Sequence, residues 1–364
     1  DSLLHYLHHP NPTDPAVFAG FCHWSHEVYK LIFGGREQLL TQPRLVIVPD
    51  GELGQIPFDL LLRSLPGPDH RGLYRGLDYL VNHLDISYAY SARSYLEAQA
   101  EGPAEVEGML SFLPDFGLDS SVAVLREMDL TRRALAPLPG AKREVAFAAE
   151  ALGAEVVTDA EAREDRFRAL AGDYDILHLA THGVAHPLSP LESRIALNQQ
   201  VPTGPLDPND GFLFGREIYG LELDCELAIL SACETGAGRY AEGEGVLNFA
   251  HAFRFAGARS VLTTHWPVPD ASSADLMIDF MSGLEAGLDK ASALSRAKRR
   301  YLQQADELHA HPFYWAGYTL TGSTQPLHFA QKARRRWIWG GLIGFLLLFL
   351  LAGGAWYRGS RSKT

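Results

Sequence analysis

Two residues in this sequence have the side chains and the setting for covalent chemistry. Cys233 ends the run Leu227-Ala-Ile-Leu-Ser-Ala-Cys233 and is followed by Glu234-Thr-Gly-Ala-Gly238; His182 ends Tyr174-Asp-Ile-Leu-His-Leu-Ala-Thr-His182 and is followed by Gly183. Each closes an apolar run and opens a Gly-containing turn. A thiol is a strong nucleophile only as the thiolate, and a neighbouring imidazole lowers its pKa or takes its proton. If the two runs are adjacent parallel strands, the amides of Gly183 and Cys233 form an oxyanion hole. The reaction class is then acyl transfer to the thiol, followed by hydrolysis. Free cysteine also packs readily as a small hydrophobe, so spacing alone leaves a buried structural thiol open beside the nucleophile. Asp175 and Glu234 are expected near this site, as strand-end charges or as acids that meet a basic side chain.

Rival constellations are weaker. His178 and His182 are four apart, but in a strand-like run without the Glu of a helical zinc motif. His5, His8, His9, His23 and His26 have no companion Cys and no Glu between paired histidines, and read as surface and interface residues. His265, before Trp266-Pro267, follows a strand rather than opening a Gly turn and reads as structural. There is no Gly-rich loop ending in Gly-Lys-Ser/Thr and no Gly-x-Ser-x-Gly elbow. No metal and no cofactor are expected. The three cysteines, Cys22, Cys225 and Cys233, are too few and too irregular for a disulfide framework, which fits a reducing compartment. A thiol redox sensor lacks a resolving partner, because Cys225 falls at the other end of the strand that carries Cys233.

The elements that must hold the pair follow from periodicity and punctuation. Pro15 to Phe33 reads as a helix ended by Gly34-Gly35, Arg44 to Pro49 as a strand, Ile56 to Leu62 as an apolar helical turn, and Tyr79 to Tyr90 as a strand region. Ser91 caps a helix to about Gln99, and Met109 to Leu113 is a strand. The second half alternates regularly: helix Ala141 to Leu152, strand Glu155 to Thr158, a helix capped by Asp159 through Leu170, then the His182 strand. Arg194 to Leu197 is extended, Pro202 to Gly211 a turn-rich loop, and Leu227 to Ala232 the Cys-bearing strand. A helix over Val246 to Ala256, a strand Ser260 to Thr264, helices Ala271 to Glu285 and Lys290 to Gln304, and a last segment Tyr314 to Thr321 complete the body. Strands alternating with helices predict an α/β fold, a mostly parallel sheet with helices on both faces.

Composition bounds the class. With 364 residues, 46% of them hydrophobic, the chain can bury a large core. The formal charge of −12 is divided unevenly: residues 331–364 hold seven of the 32 basic residues and no acid, which leaves 25 basic against 44 acidic residues, net −19, in the body. Such a body argues against nucleic-acid binding. Trp337 to Tyr357 is an uncharged stretch of 21 residues, long enough as a helix to span the roughly 30 Å of a bilayer core. Trp337, Trp339, Trp356 and Tyr357 sit near its ends, and Arg334-Arg-Arg336 precedes it while Arg358, Arg361 and Lys363 follow. The reading is one C-terminal transmembrane helix, 337–357, a short basic tail, 358–364, and, from the basic bias, a cytoplasmic body. The chain starts at Asp1 rather than Met and shows no signal peptide, so residues 1–40 are expected to be a helical segment continuing a missing upstream region.

The pair Leu177-His-Leu-Ala-Thr-His-Gly183 and Leu230-Ser-Ala-Cys-Glu-Thr-Gly-Ala-Gly238 resembles the CHAT domain, the caspase-like and separase-like cysteine peptidases of clan CD often attached to tetratricopeptide repeats. Further pieces fall in that family's order: Val48-Pro-Asp-Gly51, Ile56-Pro-Phe58, Leu138-Pro-Gly-Ala141 with Glu144, Asp210-Gly-Phe-Leu213 with Glu217, Glu244-Gly245, Ala256-Gly-Ala258, Trp266-Pro-Val-Pro-Asp270 and Trp315-Ala316. The likeness runs from about Arg44 to Gly322. It implies a caspase/hemoglobinase-like fold at 41–325, with a pseudo-peptidase-like half at 41–135 and a catalytic half at 136–325. It also implies a dyad of His182 as general base and Cys233 as nucleophile, with Gly183 in the oxyanion site. The implied function is a cysteine endopeptidase that cuts a protein partner, one encoded nearby, under a regulatory partner or upstream repeat region; the membrane anchor at 337–357 lies outside the likeness and comes from the uncharged stretch itself. The alternative is a catalytically silent scaffold that recruits partners to the membrane. Two departures stand out. Thr264-His-Trp266 replaces the usual Ser-Leu-Trp lead, and Ser231 stands where relatives that cut after basic residues carry an acid.

Overall fold

Short apolar runs bounded by turns assemble into one eight-stranded sheet in the computed structural model, which describes residues 2–67, 70, 74–116, 135, 137–186, 189–198, 209–231, 239–241 and 245–330. The helices are α1 (Ser2–Leu7), α2 (Pro15–Phe33), α3 (Ala92–Ala100), α4 (Pro139–Phe147), α5 (Glu164–Leu170), α6 (Gly215–Ile218), α7 (Phe249–Phe255), α8 (Asp270–Glu285) and α9 (Lys290–Gln304). The strands are β1 (Arg44–Ile47), β2 (Asp85–Tyr88), β3 (Ala104–Val106), β4 (Met109–Leu113), β5 (Glu155–Thr158), β6 (Ile176–Ala180), β7 (Gly183–Val184), β8 (Arg194–Ala196), β9 (Phe212–Phe214), β10 (Leu227–Ser231), β11 (Arg239–Ala241), β12 (Gly245–Leu247), β13 (Ser260–Thr264), β14 (Tyr318–Gly322) and β15 (Leu327–Phe329).

The sheet order is β1-β2-β14-β13-β10-β6-β4-β5. All neighbours are parallel except β13 and β14, so the mostly parallel sheet expected from the sequence is present, with one antiparallel seam. Period-two alternation sorts the strand residues between two cores. Ile176, Leu227, Ile229, Leu262 and Leu320 pack with Phe21 and Tyr29 of α2, Leu276 and Phe280 of α8 and Leu294 of α9. Leu177, Leu179, Ala228, Leu230 and Val261 pack on the other face with Phe167 of α5 and Phe249 and Phe253 of α7.

Local chemistry sets the ends of the elements. Asp14 Oδ1 accepts the Ala16 amide at the start of α2, and Ser91 with Ser94 forms a capping box on α3. Asp289 caps α9: Oδ1 accepts from the Ser292 amide at 3.0 Å, and Oδ2 accepts from Arg44 at 2.7 Å. Asp289→Ala is expected to lower the unfolding free energy by about 1 kcal/mol, read as a lower urea midpoint; an unchanged midpoint would contradict the cap.

Three local expectations change. Asp159 does not cap the following helix: its φ is 50°, residues Asp159–Glu161 form a 3-10 turn, and α5 starts only at Glu164. Within Tyr79 to Tyr90 only Asp85–Tyr88 is strand, because a 3-10 turn occupies Leu80–Asn82. The helix expected from Val246 starts at Phe249, where Asn248 accepts the His251 amide and ends the preceding extended piece. Among the described residues no helix is long and apolar enough to cross a membrane; the span expected at 337–357 and the tail at 358–364 lie outside them.

Candidate active site

The strands that lead to His182 and Cys233 are neighbours. β6 and β10 pair in parallel over their whole length, Leu227 with Ile176 through Ser231 with Ala180. The chain therefore leaves both strands at the same level, about 4.8 Å apart, and His182 and Cys233 are each two residues beyond the last pair. Cys233 itself, like Glu234, lies outside the described residues.

His182 is held from both sides by β8. Ala196 N donates to His182 O at 2.8 Å, and Thr181 Oγ1 donates to Ala196 O at 2.6 Å. The imidazole is half-buried and meets the buried ring of Phe116 edge-on, centroids 5.1 Å apart. Gly183 pairs with Ile195 in the antiparallel ladder of β7 and β8. The bond from Ala196 to His182 makes this a non-hydrogen-bonded pair, so the Gly183 amide is directed away from β8.

Beneath the two strand ends runs a buried polar chain that sequence reasoning did not find. Ser231 Oγ is 3.3 Å from Ser273 Oγ on α8, which donates to Glu144 Oε1 on α4 at 3.1 Å and lies 2.6 Å from Tyr318 OH on β14. Glu144 Oε2 is 3.3 Å from His178 Nε2, and His178 Nδ1 is 3.3 Å from Ser111 Oγ on β4. Glu144 and His178 are each 1% exposed. So His178 is the partner of a buried carboxylate. The available signal was a carboxylate flanked on its helix by Ala141 and Val145, on a face that must be buried.

Two of the quoted motifs meet at this edge. Asp270, which ends Trp266-Pro-Val-Pro-Asp270, accepts the Gly140 amide at 2.5 Å and the Ala141 amide at 3.1 Å, and so caps α4 from outside. A Cβ at position 140 would stand 2.3 Å from Asp270 O, so the motif needs Gly there. Trp266 Nε1 donates to Phe313 O at 2.8 Å, with the His8 ring edge-on at 5.4 Å.

One expected placement is wrong. Asp175 stands at the amino end of β6, the far end from His182, where its Oδ2 accepts the Glu107 amide at 2.6 Å and the Gly108 amide at 3.1 Å. It precedes the strand, so parallel geometry carries it away from the chemistry. Cys225 does fall at the amino end of the Cys-bearing strand, its carbonyl accepting from Arg259 N at 2.8 Å. Burial pushes the thiols of Cys225 and Cys22 up to about 12, so neither is nucleophilic at neutral pH.

A family model described as CHAT domain matches residues 25–323. Tetratricopeptide repeat protein 28 of Homo sapiens is 26% identical over 313 residues, and that of Mus musculus 25% over 319. Each match covers 78% of this chain and only 12% of the relative's length. Among solved structures, the Arg-specific cysteine proteinase gingipain R superposes with a TM-score of 0.50 at 9% identity, over 87% of this chain and 69% of that one. A chain of the Saccharomyces cerevisiae separase–securin complex superposes with a TM-score of 0.48 at 12% identity, over 78% of this chain and 16% of that one.

Proposed function

The chain belongs to the CHAT domain family, and from that membership and its gingipain-like fold we propose that it is a cysteine endopeptidase acting through Cys233 and His182. The observation that carries the proposal is the register of β6 and β10, which ends both strands side by side at Ala180 and Ser231. In this reading His182 takes the proton of the Cys233 thiol, and the thiolate attacks a peptide carbonyl. The Gly183 amide, directed away from β8, then stabilises the tetrahedral oxyanion. The imidazolium returns the proton to the leaving amine, and water, activated by the same imidazole, hydrolyses the acyl-enzyme.

The remaining features extend the proposal. The uncharged stretch 337–357 between basic flanks anchors the protein to a membrane, with the body on the cytoplasmic side. A partner, or an upstream repeat region of the kind named in the relatives, controls access to the site. The substrate is a protein encoded near this one.

The test is proteome-wide labelling of new amino termini in cells carrying the wild-type chain or Cys233→Ala. Termini that require Cys233 identify the substrate; identical termini in both would leave a scaffold that recruits partners without cutting them.

A further inference from the structure

The small antiparallel ladder beside the site sorts its residues onto two faces. Gly183 pairs with Ile195 and Val184 with Arg194, while Arg194 pairs with Phe214, Ile195 with Leu213 and Ala196 with Phe212. Side chains alternate along a strand. Ile195 and Leu213 enter the apolar core, so Arg194, Ala196, Phe212 and Phe214 share the opposite face. His182 extends β7 on that same face, opposite Ala196, whose amide its carbonyl accepts at 2.8 Å. Its ring meets Phe116, which packs with Ala196, Phe212 and Phe214. Arg194 is therefore the diagonal cross-strand neighbour of His182, a relation that sets two residues about 7–8 Å apart.

A guanidinium is a costly choice at this position. Its central carbon lies 5.1 Å from the Phe212 ring and 5.7 Å from the Phe214 ring, so it leans towards the row that holds His182 and Ala196. Nε is buried without a hydrogen-bond partner, and among the described residues the guanidinium has no hydrogen bond and no ion pair. Burial lowers its pKa, a shift that Asp210 and Glu192 oppose. Both acids are engaged elsewhere: Asp210 Oδ1 accepts the Phe212 amide at 2.9 Å, and Glu192 pairs with Arg216 at 2.7 Å. Methionine would cover the same two rings without desolvating a charge. Packing β8 on β9 thus accounts for the stem of Arg194 and leaves its charge unexplained. The residue is only half-buried, and a stacked, planar guanidinium is suited to a carboxylate met in its own plane.

We propose that Arg194 is a specificity residue of the active site, binding the carboxylate of an aspartate or glutamate side chain close to the peptide bond presented to His182. The substrate's acid supplies the ion pair that the described fold does not. This inference rests on the reading of His182 as the catalytic base, which fixes where the substrate lies, but its test requires no cleavage.

Calorimetric titration of the full chain carrying Cys233→Ala with four pentapeptides tests it. Each peptide is acetylated and amidated, with alanine around a central Asp, Glu, Asn or Gln, so the only carboxylate is that of the side chain. The result expected is saturable binding of at least one acidic peptide, about tenfold or more tighter than its amide isostere. Adding Arg194→Met, which keeps the stem on the two rings, should bring that ratio to about one. Arg194→Gln is the second neutral variant, with the urea midpoint as the folding control for both, and Arg194→Lys should retain a reduced preference. No binding of either acidic peptide, equal binding of the isosteres, or a preference that survives in a folded neutral variant would each overturn the assignment. Because Cys233 is absent throughout, the outcome is separate from that of the cleavage proposal, which terminal labelling decides.

Discussion

Alanine at Cys233 or at His182 is expected to reduce cleavage of the substrate by about 10³-fold or more, with the double variant losing little beyond either single one. The non-additivity follows from the chemistry: without the base the thiol stays protonated, and without the thiol the base has nothing to activate. Both variants should remain folded. His182 is only half-buried, and its segment is tied to β8 through the His182 carbonyl and the Thr181 hydroxyl. Circular dichroism and the urea midpoint provide the folding control, and cleavage of the substrate found by terminal labelling provides the rate. Undiminished cleavage by either variant would remove the dyad.

The second large effect concerns stability. Lys298 on α9 has a side chain 0% exposed, and its Nζ is 2.8 Å from Asp59 Oδ1, itself 2% exposed; the same Nζ donates to Tyr318 O at 2.6 Å. One ammonium thus ties the turn at Phe58–Leu60, helix α9 and strand β14 together inside the core. Burial lowers the Lys298 pKa, and Asp59 opposes that shift. Asp59→Leu is expected to destabilise the fold by about 3–5 kcal/mol, because it leaves a buried charge unpaired. The double change Asp59→Leu with Lys298→Met should recover most of that loss. In the single variant the orphaned lysine titrates below its unfolded value, so the unfolded state binds the extra proton between the two and the penalty shrinks as the pH rises through that window. Urea unfolding across alkaline pH measures all three; a single-variant loss below about 1 kcal/mol would show the pair to be dispensable.

Much of this architecture is visible in local pattern. The helix Pro15–Phe33 and the strands Met109–Leu113, Glu155–Thr158 and Ser260–Thr264 fall where periodicity and punctuation place them: Gly34, Pro114 and Asp159 close the first three, and Pro267 follows the last within three residues. The ends of β6 and β10 were legible for the same reason, since an apolar run that stops at a Gly turn has few other readings. Strand order was not legible: nothing in Tyr318–Gly322 shows that it runs against β13 while lying parallel to β2. Asp175 was misplaced because closeness to His182 in sequence is seven residues of extended chain in space. The link from Glu144 to His178 and Ser273 joins residues 34 and 129 positions apart, a distance that no window along the chain spans.

The central claim is that His182 activates Cys233, and the pH dependence of alkylation tests it most directly. Cys22 and Cys225 are buried, with thiols pushed up to about 12, so iodoacetamide at neutral pH should modify Cys233 alone, as mass spectrometry would show. The account predicts an alkylation midpoint for Cys233 well below the ordinary thiol value of about 8.5, returning to that value in His182→Ala. A wild-type midpoint at the ordinary value, unmoved by His182→Ala, would contradict it.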